Sequence, residues 1–238
     1  MDAFSRRSFV ATAAASIATL TSIGHLTSTA QAQSVELKAD WNVSEFNEIV
    51  HHRARIKQLY DVVAPKFEVL THIRNSLNSL HFGFGIPLEQ IQIVAVSRGP
   101  AILINFDDYA WKTYHFGKLF GINDPKTGKP AERNVFYVSS KTQQKVDYTA
   151  NDVNDADSIY TDTSIYALQQ RGVRFLCCHN TTESSTDYLA EENHLHKTSK
   201  EVYTDLVAHM LPNTLMVPAA VGAISLMQSE GHYGYIYG

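Results

Sequence analysis

Cysteine is nearly missing from this chain of 238 residues: there are two, and they are neighbours, Cys177 and Cys178. Consecutive Cα atoms lie ~3.8 Å apart, closer than the ~4.4–6.8 Å of an ordinary disulfide. A normal structural bridge between them is excluded, and no third cysteine is present to make another. Either both thiols are packed and inert, or at least one is kept for its chemistry. No Cys-x-x-Cys-His occurs, which excludes covalent c-type haem. No residue pattern names any other cofactor, so haem or a metal held without that motif stays open. Basic clusters are absent too. Lys and Arg number 20 against 24 Asp and Glu, a net charge of −4, and this dispersed, mildly acidic balance argues against nucleic acid or anionic membrane as partner.

Long hydrophobic runs are the third absence. Val10 to about Leu26 is alanine-rich and interrupted by Thr12, Ser16, Thr19, Thr21 and Ser22, short of the ~20 strongly apolar residues that span a bilayer. What stands in front of it is informative. Arg6 and Arg7 precede the run, and Ala30-Gln31-Ala32 supplies a small-x-small cleavage pattern. That combination predicts a twin-arginine signal peptide over residues 1–32, a receptor-read address removed after export. The mature protein is then expected to be periplasmic and free of the membrane, with a helical extension at 33–53 and one α/β domain at 54–238.

In the extension, apolar spacing at Val43, Phe46, Ile49 and Val50 marks a short helix. Arg55–Val63 reads as a first strand, and Leu70, Ile73, Leu77 and Leu80 as a helix face closed by Gly83 and Gly85. Ile91–Val96 is a buried strand ending at Ser97-Arg98-Gly99-Pro100. Residues 107–157 form a long excursion in which Val135–Ser139 is read as an edge strand or hairpin arm. The excursion carries many aromatics, Trp111, Tyr114, Phe116 and Phe136 among them, which predicts that it folds down over the domain or forms a subunit interface, a lid over the Cys178 rim being the functional version. A helix at 159–170, a third strand at Val173–Cys178, a long polar helix from Asn180 to about His209, a strand at Thr214–Val217, a helix from Pro218 and a strand at Tyr233–Tyr237 follow. Alternation of this kind predicts a doubly wound, mainly parallel five-stranded sheet, with ligands bound beyond the carboxyl ends of the strands.

The candidate site residues fall on that rim. Cys178 ends the third strand beside a helix start, where the helix dipole favours thiolate; Cys177 points to the other face by strand alternation. Gly99 permits a close backbone approach, with Arg98 as counter-charge for an anion, and His179 and Asn180 flank the thiol. Glu191/His194 and Glu192/His196 sit at helical spacing, but His194 and His196 diverge, so the set reads as a solvated face and no metal site is predicted.

Three stretches resemble the DsrE/DsrF-like family of small α/β proteins: Val94-Ala95-Val96-Ser97-Arg98-Gly99-Pro100-Ala101, Arg171 to Thr181 with Cys178 at its strand end, and Val217-Pro218-Ala219-Ala220-Val221 followed by Gln228 and Gly231 to Ile236. Arg98 stands where that family often has histidine, and Ala220 where it usually has glycine. The resemblance implies a DsrE-like fold, homo- or hetero-oligomers, and Cys178 as a persulfide carrier exchanging sulfur with a donor or acceptor. Beside this stand a small-molecule or cofactor-binding module whose cysteines are structural, and an interaction subunit.

Overall fold

In a computed structural model, residues 41–138, 152–155 and 157–238 are described. The segment expected to be a leader at 1–32, the start of the extension, and residues 139–151 and 156 of the excursion lie outside them. The described residues from Trp41 onward belong to one unit.

Helix α1, Val43–Val50, starts where the Asn42 side chain accepts from the Glu45 N–H, the expected use of an N-cap amide. Strand β1, Ile56–Val62, leads into helix α2, Phe67–Asn78, whose Val69, Leu70, Ile73 and Leu77 are buried. A π-helical turn, Ser79–Gly83, ends it. All seven residues of β2, Ile91–Ser97, are buried, as a strand covered on both faces requires. Two short helices follow, α3 at Asp108–Thr113 and α4 at Phe116–Leu119, then α5 at Ile165–Gln170 and β3 at Arg174–Cys178. Past β3 come α6, His179–Ser184, α7, Thr186–Glu192, and α8, Ser199–Ala208. Strand β4, Thr214–Val217, helix α9, Ala220–Ser229, and strand β5, Gly234–Tyr237, complete the order.

Among the described residues the sheet has five strands in the order β4-β3-β2-β1-β5, and every pairing is parallel. Right-handed crossovers moving in one direction, β1 to β4, lay their helices on one face. The return from β4 to β5 runs the other way, so α9 covers the opposite face, packing on β1, β2 and β3. All five carboxyl ends share one rim. The direction of the chain reverses between β1 and β5.

Two expectations change here. The long polar helix is three helices. Its first break falls at Ser185; the second runs from Asn193 to Thr198, where His194 takes a left-handed φ of 52°. Thr198 then restarts the chain with a reciprocal capping box to Glu201, satisfying orphan donors at both positions. Residues 135–137 are a turn, not an edge strand: the Asn134 side chain accepts from the backbone N–H of Phe136 and Tyr137 and donates to the carbonyls of Ile104 and Phe106.

The described aromatics of the excursion fold down into the domain. Trp111, Tyr114, Phe116 and Phe136 are all buried. Trp111 packs edge-on against Phe116 at 5.9 Å between centroids and donates its indole N–H to the Leu103 carbonyl at 3.0 Å. At Gly117 an added Cβ would lie 2.3 Å from backbone atoms of Ala131, so only glycine lets these two segments meet.

Candidate functional site

At the tip of β3 the two thiols diverge, as alternation dictates. Cys177 is fully buried on the α6 face, its Sγ 3.7 Å from the Thr182 hydroxyl. Thr182 donates to the Cys178 carbonyl at 2.9 Å, so its hydroxyl oxygen is left to accept from the Cys177 thiol. Around them Ser97 donates to the Leu176 carbonyl, and the Asn105 amide donates to Ser97 Oγ and to the Ile102 carbonyl. Asn105 Oδ1 is buried without a hydrogen-bond partner. Burial pushes the Cys177 thiol up to about 12, the Thr182 contact offsetting it only partly. This thiol is not a nucleophile at neutral pH.

Cys178 lies on the α9 face, 4 % exposed. Its Sγ accepts the backbone N–H of Ala220, the first residue of α9, at 3.3 Å. His179 does not turn to it. That ring hydrogen-bonds through Nδ1 with the Tyr203 hydroxyl at 2.8 Å, meets Glu183 through Nε2 at 3.3 Å, and packs edge-on against Trp41. Asn180 is exposed, and its backbone N–H donates to the Pro218 carbonyl.

Arg98 is turned the other way, to β1. Its Nε and Nη2 donate to the two oxygens of Asp61 at 2.9 and 3.0 Å, a bidentate fork. Asp61 is 2 % exposed and also accepts from the Tyr235 hydroxyl of β5 at 2.7 Å. Donating to the Asp61 carboxylate raises the Arg98 guanidinium further and pushes the Tyr235 phenol up. The expected anion counter-charge therefore already has its anion, supplied by the protein. Gly99 does take a left-handed φ of 54°, opening a 3₁₀ segment, Gly99–Asn105, that carries the chain over the end of β3.

That segment roofs a hollow. Between it and helices α4, α6, α7 and α8 lies a half-enclosed cavity of about 260 Å³. Phe120 supplies partly exposed ring surface, backed by the buried Leu103, Phe106 and Phe116; Thr181, Ser184 and Ser185 are also in its lining. Tyr188, 45 % exposed, stands at its edge. No residue lining it is charged, a histidine or a cysteine. Of the five residues picked out from sequence, Gly99 alone touches this cavity; Arg98 belongs to the Asp61 pair, and Cys178, His179 and Asn180 lie outside its lining. Among the described residues no cluster of three His, Cys, Asp or Glu side chains could hold a metal.

Sequence reasoning missed Asp61, Tyr235 and the cavity. Asp61 left a trace: a lone carboxylate inside an otherwise apolar strand end, Leu59-Tyr60-Asp61-Val62, is costly to bury unless paired. The cavity left none, because its walls come from four separated stretches. No family model matches this chain, and no curated protein matches it.

Proposed function

We propose that this protein binds a small, mainly apolar molecule without covalent chemistry in the cavity beyond β2 and β3, and that its cysteines are structural. The reading goes with export through a twin-arginine leader and with a DsrE-like scaffold, both suggested by sequence. One observation carries it: a formed, half-enclosed hollow at the functional rim of a parallel sheet, lined by rings and hydroxyls and free of charge. Such concave, mostly apolar sites with few polar groups are what ligand pockets look like. The test is native mass spectrometry of protein purified from the producing cell. A bound small molecule that survives Cys178→Ser and is lost on Phe120→Ala supports the reading; loss on Cys178→Ser with the fold intact overturns it.

The second reading is sulfur transfer at Cys178, favoured by the Ala220 N–H directed at its Sγ at the first turn of a ten-residue helix. The thiolate would attack the outer sulfur of a sulfane donor; a new S–S bond forms and the donor's leaving group departs with the electron pair. Mass spectrometry after incubation with thiosulfate reads this directly. A Cys178 that gains no sulfur and also resists iodoacetamide in the folded protein eliminates it.

A further inference from the structure

One stretch of the chain is nearly without charge. From Leu206 to Gly238 the sequence holds a single Asp, Glu, Lys or Arg, Glu230, although 18 % of all residues are charged. Much of that stretch faces outward. On α9, Val221, Gly222, Ser225, Leu226 and Ser229 are exposed, and their spacing puts them on one helix face. On β5, Tyr235 and Tyr237 are exposed too. Charge depleted and tyrosine left outside is the composition of a protein interface.

The two tyrosines lie on the α9 side of the sheet. Leu59 pairs with Tyr235 and Asp61 with Tyr237, and alternation turns all four away from Tyr60, whose hydroxyl meets the His72 carbonyl of α2. Helix α9 packs mainly on β1, β2 and β3, which leaves these rings bare at the margin of the sheet.

The edge itself is open. In a parallel ladder alternate residues of a strand bond to a given neighbour. Gly238 donates its N–H to the Asp61 carbonyl, so Gly234, Ile236 and Gly238 are the residues turned to β1. The N–H and C=O of Tyr235 and Tyr237 point the other way, off the end of the strand order. Strand β5 carries neither charge nor proline, two of the devices that keep an edge from pairing. The opposite edge strand, β4, lies between Pro212 and Pro218.

We propose that β5 pairs with β5 of a second copy of this chain, antiparallel, across a twofold axis beside Ile236. The pattern is self-complementary. Tyr235 of each copy lies opposite Tyr237 of the other and exchanges both backbone hydrogen bonds with it, and the rings meet as cross-strand pairs on the α9 side. A twofold contact of this kind needs only the one patch. Charge selects the same occupant: copies of a chain with a net charge of −4 repel one another least where their surface is neutral.

Sedimentation velocity of protein purified from the producing cell, over about 1 to 100 μM, tests this. The expected result is a monomer–dimer equilibrium. Tyr237→Lys, at a position 68 % exposed, should weaken dimerisation at least about tenfold with the melting temperature of dilute protein unchanged. Phe84→Lys, 75 % exposed in the loop before β2, should leave it as it was. A wild-type chain that stays monomeric throughout overturns the proposal. So does a dimer that survives Tyr237→Lys, or one that Phe84→Lys breaks with its fold intact. A wild-type monomer that carries a different protein, released by Tyr237→Lys, overturns it as well, because the edge then serves another partner.

Discussion

At the ends of β1 and β5 the rim is charged and filled, whereas at the ends of β2 and β3 it is uncharged and hollow. The first half is built from one buried carboxylate, Asp61, that collects three donors from Arg98 and Tyr235. The second half is an uncharged hollow under the Gly99–Asn105 segment, with Phe120, Tyr188 and three hydroxyl-bearing residues in its lining. Doubly wound sheets usually bind ligands where the strand order reverses, which here is the β1/β5 half. In this molecule that place is occupied by its own side chains, and the room lies one strand over. Position in the topology is thus a weaker guide to the site than the polarity and volume that the side chains leave.

The contrast can be broken from either side. Trp111→Ala should have the largest effect, about 3–5 kcal/mol in urea denaturation, because it removes the ring that backs Phe116 behind the hollow. Asp61→Asn should cost about 2–4 kcal/mol, less than a fully buried pair would, since the Arg98 side chain is 38 % exposed. The double variant should equal the sum within about 0.5 kcal/mol if the halves are independent; a larger discrepancy would join them.

Cys177→Ala should cost about 1–3 kcal/mol at pH 7, and its pH dependence has a definite sign. Burial raises this thiol from an unfolded value of 9.0 to about 12. Its contribution is fully present below pH 9 and is lost as pH climbs toward 12, because only the unfolded chain then releases the proton. The stability gap between wild type and Cys177→Ala should therefore narrow over that window, as denaturation at pH 7 and pH 10 would show; a gap that widens contradicts the burial. The smallest effect expected is a gain. His194→Gly relieves a left-handed residue outside both halves and should raise stability by up to about 1 kcal/mol, read as a higher melting temperature.

The parallel sheet was legible because its strands are runs dense in β-branched and aliphatic residues with punctuation between them: Ile91–Val96 needs nothing beyond its own sequence to be a buried strand. The divergence of Cys177 and Cys178 was legible for the same reason, since it follows from the twofold repeat of a strand. The three-part helix was half legible. Thr198-Ser199-Lys200-Glu201 spells a capping box, but the left-handed turn at His194 has no marker where glycine would be expected. Arg98 was placed at the rim correctly and its partner was not, because a fork to Asp61 depends on which strand lies beside β2. The aromatics of the excursion were legible as residues that fold down on the domain, and Trp111 and Phe116 are core; what they pack against was not, because those partners are distant in sequence.

Strand β5 is the last of the five to be synthesised and its neighbour β1 is the first. Tyr235 reaches Asp61 across 174 residues of sequence. Until residues 234–237 leave the ribosome, β1 is an open parallel edge, and such edges template mispairing. A chain cut short before β5 is therefore left with an adhesive strand and a buried acid missing one of its donors. Completion of the sheet is an all-or-none event that waits for the whole domain, so its vulnerable moment lies during synthesis.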